Sequence, residues 1–104
     1  MAVRVGITTG DPNGIGPEVV LKALAQFDPS ADVEFVWFAD PVLIADQAAA
    51  LGLPVPSVPC VWPLPAVDWA FGRGTLASGQ AALDSLNLAL DAWRDGQIDA
   101  LVTP

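Results

Sequence analysis

The chain has 104 residues, the length of one ordinary domain, and 53% of them are hydrophobic. Its formal net charge is −8, and its basic residues are scattered (Arg4, Lys22, Arg73 and Arg94), which argues against nucleic acid and anionic membranes as partners. No apolar run approaches the roughly 18 residues of a membrane span, and the amino terminus lacks a signal-peptide pattern. We therefore expect a cytoplasmic protein that covers part of its apolar surface with a partner.

The absence of histidine limits the chemistry of the chain. No side chain has an ordinary pKa near neutrality, and the commonest nitrogen ligand of metals is missing. Acid–base catalysis would require carboxylates with strongly shifted pKa values. Cys60 is the only cysteine, so an internal disulfide cannot form, and we interpret it as a small apolar residue.

The first elements in chain order are a strand, a loop and a helix. Alternating apolar residues at 3–7 predict the strand, and turn formers at 9–14 end it. A helix is predicted from Pro17 to Phe27, with Asp28-Pro29 as its stop.

A second strand and helix follow the first pair. Residues 33–39 are rich in β-branched and aromatic side chains, which predicts a buried strand. Asp40 and Pro41 suit the N-cap and first position of a helix that ends at Gly52. The proline-rich residues 54–65 predict an extended connector or an edge strand.

The clearest helix is predicted over residues 78–95, and a last strand over 98–103. The helix carries an apolar stripe, interpreted as a core or dimer face, formed by Leu83, Leu86, Leu90 and Trp93. Because strands alternate with helices, we expect a three-layer α/β/α fold with a mostly parallel sheet.

The segment Gly10-Asp11-Pro12-Asn13-Gly14-Ile15-Gly16-Pro17-Glu18 lies between the first strand and the first helix. Open α/β sheets bind ligands at this position, although the spacing matches neither a P-loop nor a dinucleotide fingerprint. The residues alone leave two interpretations open. The backbone amides contact a ligand, or glycine and proline only shape a tight turn.

Three segments, residues 7–18, 74–82 and 99–104, resemble in order the 4-hydroxythreonine-4-phosphate dehydrogenase family of vitamin B6 synthesis. Residues 53–72 carry no matching motif, and Asn13 stands where a small residue is expected. The family is similar in fold to the isocitrate and isopropylmalate dehydrogenases. This resemblance implies that residues 1–104 are the N-terminal, incomplete part of a two-domain α/β enzyme.

The resemblance also implies a function. A homodimer would use NAD and a divalent metal (Zn, Mg or Co) to oxidise and decarboxylate 4-phosphohydroxy-L-threonine in pyridoxal phosphate biosynthesis. The implied cofactor contacts are Thr9, Gly10, Asp11, Asn13, Gly14 and Gly16. The family's metal ligands and catalytic residues lie downstream of Pro104, so we expect no catalytic residue and no metal ligand here, and an inactive chain on its own.

Two alternatives remain open. A paralogue would act on another phosphorylated hydroxy acid, 4-phosphothreonate or 4-phosphoerythronate. A protein of another class would be a stand-alone nucleotide-binding module, or a dimerisation module that uses the helix predicted over 78–95.

Overall fold

The computed structural model describes residues 2–27, 32–56, 60–66 and 68–104. Within these ranges four parallel strands form one sheet in the order β3-β2-β1-β4. Three helices connect or flank them. The elements in chain order are β1 (Val3–Thr8), α1 (Gly16–Ala25), β2 (Val33–Ala39), α2 (Pro41–Leu51), β3 (Cys60–Pro63), α3 (Leu76–Arg94) and β4 (Ala100–Val102).

The two faces of the sheet are covered by different helices. On one face, α1 and α2 pack large apolar side chains such as Leu21 and Ile44 against Trp37 of β2. On the other face, Ala89 and Ala92 of α3 pack against Phe38 and Ile98. The expected α/β/α layering and parallel sheet are therefore confirmed.

Local sequence signals explain where two of the helices begin. The Asp40 carboxylate accepts a hydrogen bond from the Val42 amide, and Gly52 ends α2 with a φ of 68°. Thr75 and Ser78 form a reciprocal capping box at the start of α3. The caps predicted for α2 are confirmed.

Of the two interpretations of the apolar stripe of α3, core face or dimer face, the structure contradicts the first, and the second stays a prediction. Leu83, Leu90 and Trp93 are 49%, 39% and 57% exposed, whereas Ser85 and Ala89 are fully buried. Small side chains let the helix axis come close to the sheet, so the core face of α3 is its small-residue face.

Some element boundaries differ from the sequence-based expectation. Helix α1 ends at Ala25, and Phe27 beyond it packs edge-on against Phe35 at a centroid distance of 4.6 Å. The predicted stop at Asp28-Pro29 lies outside the described residues. Strand β4 is shorter than predicted because the chain between α3 and β4 places Ile98 in the core before the strand begins.

The proline-rich region contains β3, which lies at the edge of the sheet. Of the two expectations for residues 54–65, an extended connector or an edge strand, the edge strand is confirmed. The side chain of Cys60 is not among those described, so its interpretation remains a prediction. None of the helices in the described part of the chain is long and apolar enough to cross a bilayer.

Candidate functional site

The glycine-containing loop, defined here as residues 9–15 and called the glycine loop, connects β1 to α1 at the carboxyl edge of the sheet. Asp40 follows β2 and Pro104 follows β4 at the same edge, because the strands are parallel. This is the position predicted from the sequence, and it is where open parallel sheets bind ligands.

Thr9 joins this loop to the layers on either side of it. Its side chain is buried and its hydroxyl donates a hydrogen bond to the Phe38 carbonyl. Its amide donates to Ser85 Oγ at 3.0 Å, and Ser85 Oγ donates in turn to the same Phe38 carbonyl at 2.7 Å. The Thr9 side chain is therefore committed to protein contacts.

Asp11 shapes the turn and connects it to α3. One carboxylate oxygen accepts a hydrogen bond from the Asn13 amide at 2.8 Å, and the other accepts one from Ser78 Oγ at 3.2 Å. The Asp11 carbonyl accepts from the Gly14 amide at 2.9 Å. Asp11 thus holds the loop and bonds to Ser78 of the α3 capping box.

Asn13 connects the glycine loop to a distant turn. The side chain is only 4% exposed, and its Oδ1 accepts a hydrogen bond from the Ala70 amide at 2.9 Å. Its Nδ2 donates to the Arg73 carbonyl at 2.5 Å, and its own carbonyl accepts from the Gly72 amide at 2.7 Å. Nothing in the local sequence indicated this role, because the partners lie about 60 residues away.

Two glycines of the candidate set have a geometric requirement. Gly10 has a φ of 70°, in the left-handed region that favours glycine. A Cβ atom on Gly16 would lie 2.6 Å from the Thr9 carbonyl oxygen, so only glycine allows α1 to start this close to the end of β1. Gly14 is less constrained, since a Cβ there would meet Asp11 at 3.4 Å.

Gln47 of α2 is a loop contact that the sequence analysis missed. Its side chain is fully buried, and its Nε2 donates a hydrogen bond to the Pro12 carbonyl at 2.6 Å. Its Oε1 has no hydrogen-bond partner among the described residues. A single glutamine in a helix is usually exposed to solvent, so the sequence carries no signal that predicts this buried contact of Gln47.

The amino terminus of α1 differs from those of the other two helices. Its N-cap is Ile15, which provides no side-chain hydrogen bond, whereas Asp40 and Thr75 cap α2 and α3. In the first turn of α1 the Gly16 and Glu18 amides lack intrahelical acceptors and lie at the positive end of the helix dipole, while Pro17 between them has no amide hydrogen. Glu18 lies in this first turn and pairs with Lys22 at 2.7 Å.

Two cavities adjoin the glycine loop at Gly10. The larger, of about 340 Å³, is mainly apolar and is lined by Thr8, Gly10, Ala82, Leu83, Leu86, Thr103 and Pro104. A much smaller one, of about 20 Å³, is lined in part by Thr9, Gly10 and Pro12. Gly10 is therefore the candidate residue whose backbone faces open space on more than one side.

A larger cavity, of about 590 Å³, lies elsewhere, beside the start of α2. Its wall includes Asp40, Asp46 and Asp68 together with Trp69. Three carboxylates disfavour an anionic ligand in this cavity. No group of three or more possible metal ligands occurs among the residues that the structure describes.

A parallel sheet covered on both faces, with a glycine loop leading into a helix without a side-chain cap, defines an α/β protein of the kind that binds ligands at the carboxyl edge of its sheet. Comparison with known proteins narrows this class. No family model matches the chain. It is 35% identical to a 4-hydroxythreonine-4-phosphate dehydrogenase of Citrobacter koseri and 36% identical to one of Chromobacterium violaceum, over 96% and 95% of its own length.

Solved structures agree with the sequence matches. A 4-hydroxythreonine-4-phosphate dehydrogenase of Burkholderia phymatum superposes with a TM-score of 0.84 at 25% identity, over 99% of this chain and 36% of that one. A terephthalate 1,2-cis-dihydrodiol dehydrogenase of Burkholderia xenovorans superposes with a TM-score of 0.75 at 37% identity, over 97% of this chain and 33% of that one. The predicted dehydrogenase-like fold is confirmed.

The predicted resemblance is confirmed as well: this chain is related in sequence and fold to the 4-hydroxythreonine-4-phosphate dehydrogenases. It spans about a third of the length of the curated relatives it matches, 34% of the Citrobacter protein and 33% of the Chromobacterium protein.

Proposed function

We propose that this chain forms one wall of the cofactor cleft in an NAD-dependent dehydrogenase that oxidises 4-phosphohydroxy-L-threonine. The observation that carries the proposal is the backbone of Gly10, which faces a cavity at the carboxyl edge of a sheet shared with relatives named for this activity. The proposal also includes the other walls of the cleft and a two-domain homodimer. It further includes a role in pyridoxal phosphate synthesis and the loss of carbon dioxide from the oxidised substrate.

The residues present fit one edge of a dinucleotide site. NAD, when bound, supplies the hydride acceptor of the reaction. Gly10 brings bare backbone to the cavity, and the first-turn amides of α1 supply donors for a polar or anionic group. The side chains of Thr9, Asp11 and Asn13 bind other protein groups, so any contact of these residues with the ligand would come from their backbone.

The residues that the structure describes do not fit the divalent metal. The described carboxylates of the loop region hold protein groups: Asp11 binds Asn13 and Ser78, and Glu18 binds Lys22. In the proposal, metal ligands and catalytic groups come from residues outside this sequence, and no step is assigned to the metal here.

A second candidate function has its own support. The terephthalate 1,2-cis-dihydrodiol dehydrogenase is 37% identical to this chain, about the same as the 35% and 36% of the two curated 4-hydroxythreonine-4-phosphate dehydrogenases. Its name indicates oxidation of a diol without a phosphate. The glycine loop would serve either substrate class if it contacts the cofactor. Paralogues that act on 4-phosphothreonate or 4-phosphoerythronate are a third outcome of the same assay.

The test is a turnover assay on the protein encoded by the complete gene, with NADH absorbance as the readout and each of the four substrates in turn. We expect the highest kcat/KM with 4-phosphohydroxy-L-threonine. Preference for the dihydrodiol would move the assignment to the second candidate, and absence of NADH formation with all four would refute the dehydrogenase. Micromolar NAD binding by the 104-residue chain alone would favour the stand-alone module.

A matched pair of glycine variants tests the loop itself. Gly10 and Gly52 have nearly the same positive φ, 70° and 68°, so alanine costs similar backbone strain at either position. Only Gly10 lines the cavity of the glycine loop. We expect Gly10→Ala to raise the KM for NAD about tenfold, equivalent to about 1.4 kcal/mol, and Gly52→Ala to leave it unchanged. Equal effects of the two variants would show that the loop is merely structural.

A further inference from the structure

Asn13 connects the turn at residues 70–73 to the glycine loop by hydrogen bonds. Three hydrogen bonds join them, from the Ala70 amide to Oδ1, from Nδ2 to the Arg73 carbonyl, and from the Gly72 amide to the Asn13 carbonyl. Because Asn13 is 4% exposed, these bonds are shielded from water and define the position of the turn.

Arg73 differs from the other basic residues in its partners. Arg4 pairs with Asp99, Lys22 with Glu18 and Arg94 with Asp91. Arg73 is exposed and has no carboxylate partner in the described part of the chain, although its own carbonyl is bonded to the glycine loop.

The negative charge of the chain suggests a role for the Arg73 cation in ligand binding. A protein with a net charge of −8 repels a phosphate-bearing ligand, and Asp11 and Glu18 add local negative charge at the loop. An arginine that is free of carboxylates offsets that repulsion and provides the planar donors that phosphate oxygens accept. The turn brings the backbone of Arg73 to the glycine loop, from which its long side chain extends.

We propose that Asn13 is a positioning residue that holds Arg73 beside the glycine loop, where its guanidinium contacts a phosphate group of the bound ligand. The proposal rests on the proposed function, which supplies a phosphate from either NAD or the substrate. An asparagine is suited to the task because one amide both accepts from Ala70 and donates to Arg73. Serine is too short for both bonds, and aspartate lacks the donor.

The experiment is a double-mutant cycle on the protein encoded by the complete gene, with KM for NAD and KM for the phosphorylated substrate measured separately. We expect Arg73→Met to raise one of the two KM values about tenfold, to leave kcat within about twofold, and to weaken the salt dependence of that KM. The ligand whose KM rises is the one whose phosphate is contacted. Arg73→Lys should restore most of the loss.

Asn13→Ala should raise the same KM as Arg73→Met, and the double variant should be little worse than either single one, because both changes remove one contact. Arg94→Met is the matched control, since Arg94 is exposed and pairs with Asp91 on α3. It should leave both KM values unchanged. Asn13→Asp, which keeps the acceptor for Ala70, provides a second variant if the alanine protein folds poorly.

The outcomes separate the two proposals. If the unaltered protein forms no NADH, the proposed function fails and this inference fails with it. If the protein is active but Arg73→Met matches Arg94→Met in both KM values, only the inference is overturned. Additive effects of Asn13→Ala and Arg73→Met would also overturn it, because Asn13 would then act independently of Arg73.

Discussion

The two ends of the sheet are held by different kinds of interaction. At the carboxyl end, buried neutral side chains hold the glycine loop, Gln47 at Pro12 and Ser85 at Thr9, beside the bonds that the Asp11 carboxylate makes within it. At the amino end, the exposed ion pair of Arg4 and Asp99 joins β1 to the start of β4. Neutral buried bonds are insensitive to pH and salt, whereas exposed charges are screened. The comparison indicates that buried hydrogen bonds, rather than exposed ion pairs, fix the end where the ligand is proposed to bind.

The largest effect is expected from a charge placed among the neutral groups. Gln47→Glu removes the donor to the Pro12 carbonyl and buries a carboxylate without a partner, which costs about 3–5 kcal/mol. Burial raises the folded-state pKa of this new carboxyl above its unfolded value of about 4.3. The cost is therefore small below that pH and grows as the pH rises towards the folded-state pKa. Urea denaturation at pH 4 and pH 7 measures it.

Gln47→Met is the matched control for that variant. It also removes the bond to Pro12, but it removes the unpartnered Oε1 at the same time, so the two terms oppose each other. We expect a change within about 1.5 kcal/mol and no pH dependence. A methionine variant as unstable as the glutamate one would mean that the Pro12 bond itself, and not neutrality, holds the loop.

The second effect concerns the approach of α1 to β1. Gly16→Ala places a Cβ atom 2.6 Å from the Thr9 carbonyl oxygen, a backbone atom that cannot swing aside, and should cost about 1–3 kcal/mol. Gly79→Ala, in α3 with no heavy atom within 4 Å of the new Cβ, should instead stabilise by about 0.5–1 kcal/mol. Thermal unfolding of both proteins checks the signs. A neutral Gly16→Ala would show that the loop adapts easily.

The sequence was sufficient for features that depend on neighbouring residues. Period-two and helical patterns, Asp40 as a cap and Gly52 at a helix end are local signals, and the structure confirms them. Long-range partners were beyond its reach. The contacts of Asn13 with residue 70 and of Gln47 with Pro12 span 57 and 35 positions. The core face of α3 was misjudged because the strongest apolar stripe is not the face that packs closest to the sheet.

The smallest effect is expected at the amino end of the sheet. Asp99 accepts a hydrogen bond from the Arg4 amide and from its guanidinium, and these bonds lower the pKa of the carboxyl in the folded state. A lowered folded-state pKa contributes stability above the unfolded value of about 3.9, and this contribution is lost as the pH falls through the folded-state pKa.

Asp99→Asn should therefore be slightly less stable than the unaltered protein at neutral pH. On acidification below about pH 4, the variant should lose less stability than the unaltered protein loses. Asp84→Asn is the control, because Asp84 is exposed and accepts from Gln80 rather than from a cation. Urea midpoints across the acid range measure both proteins. If Asp99→Asn follows the unaltered protein at every pH, the ion pair contributes nothing, and backbone pairing alone joins β1 to β4.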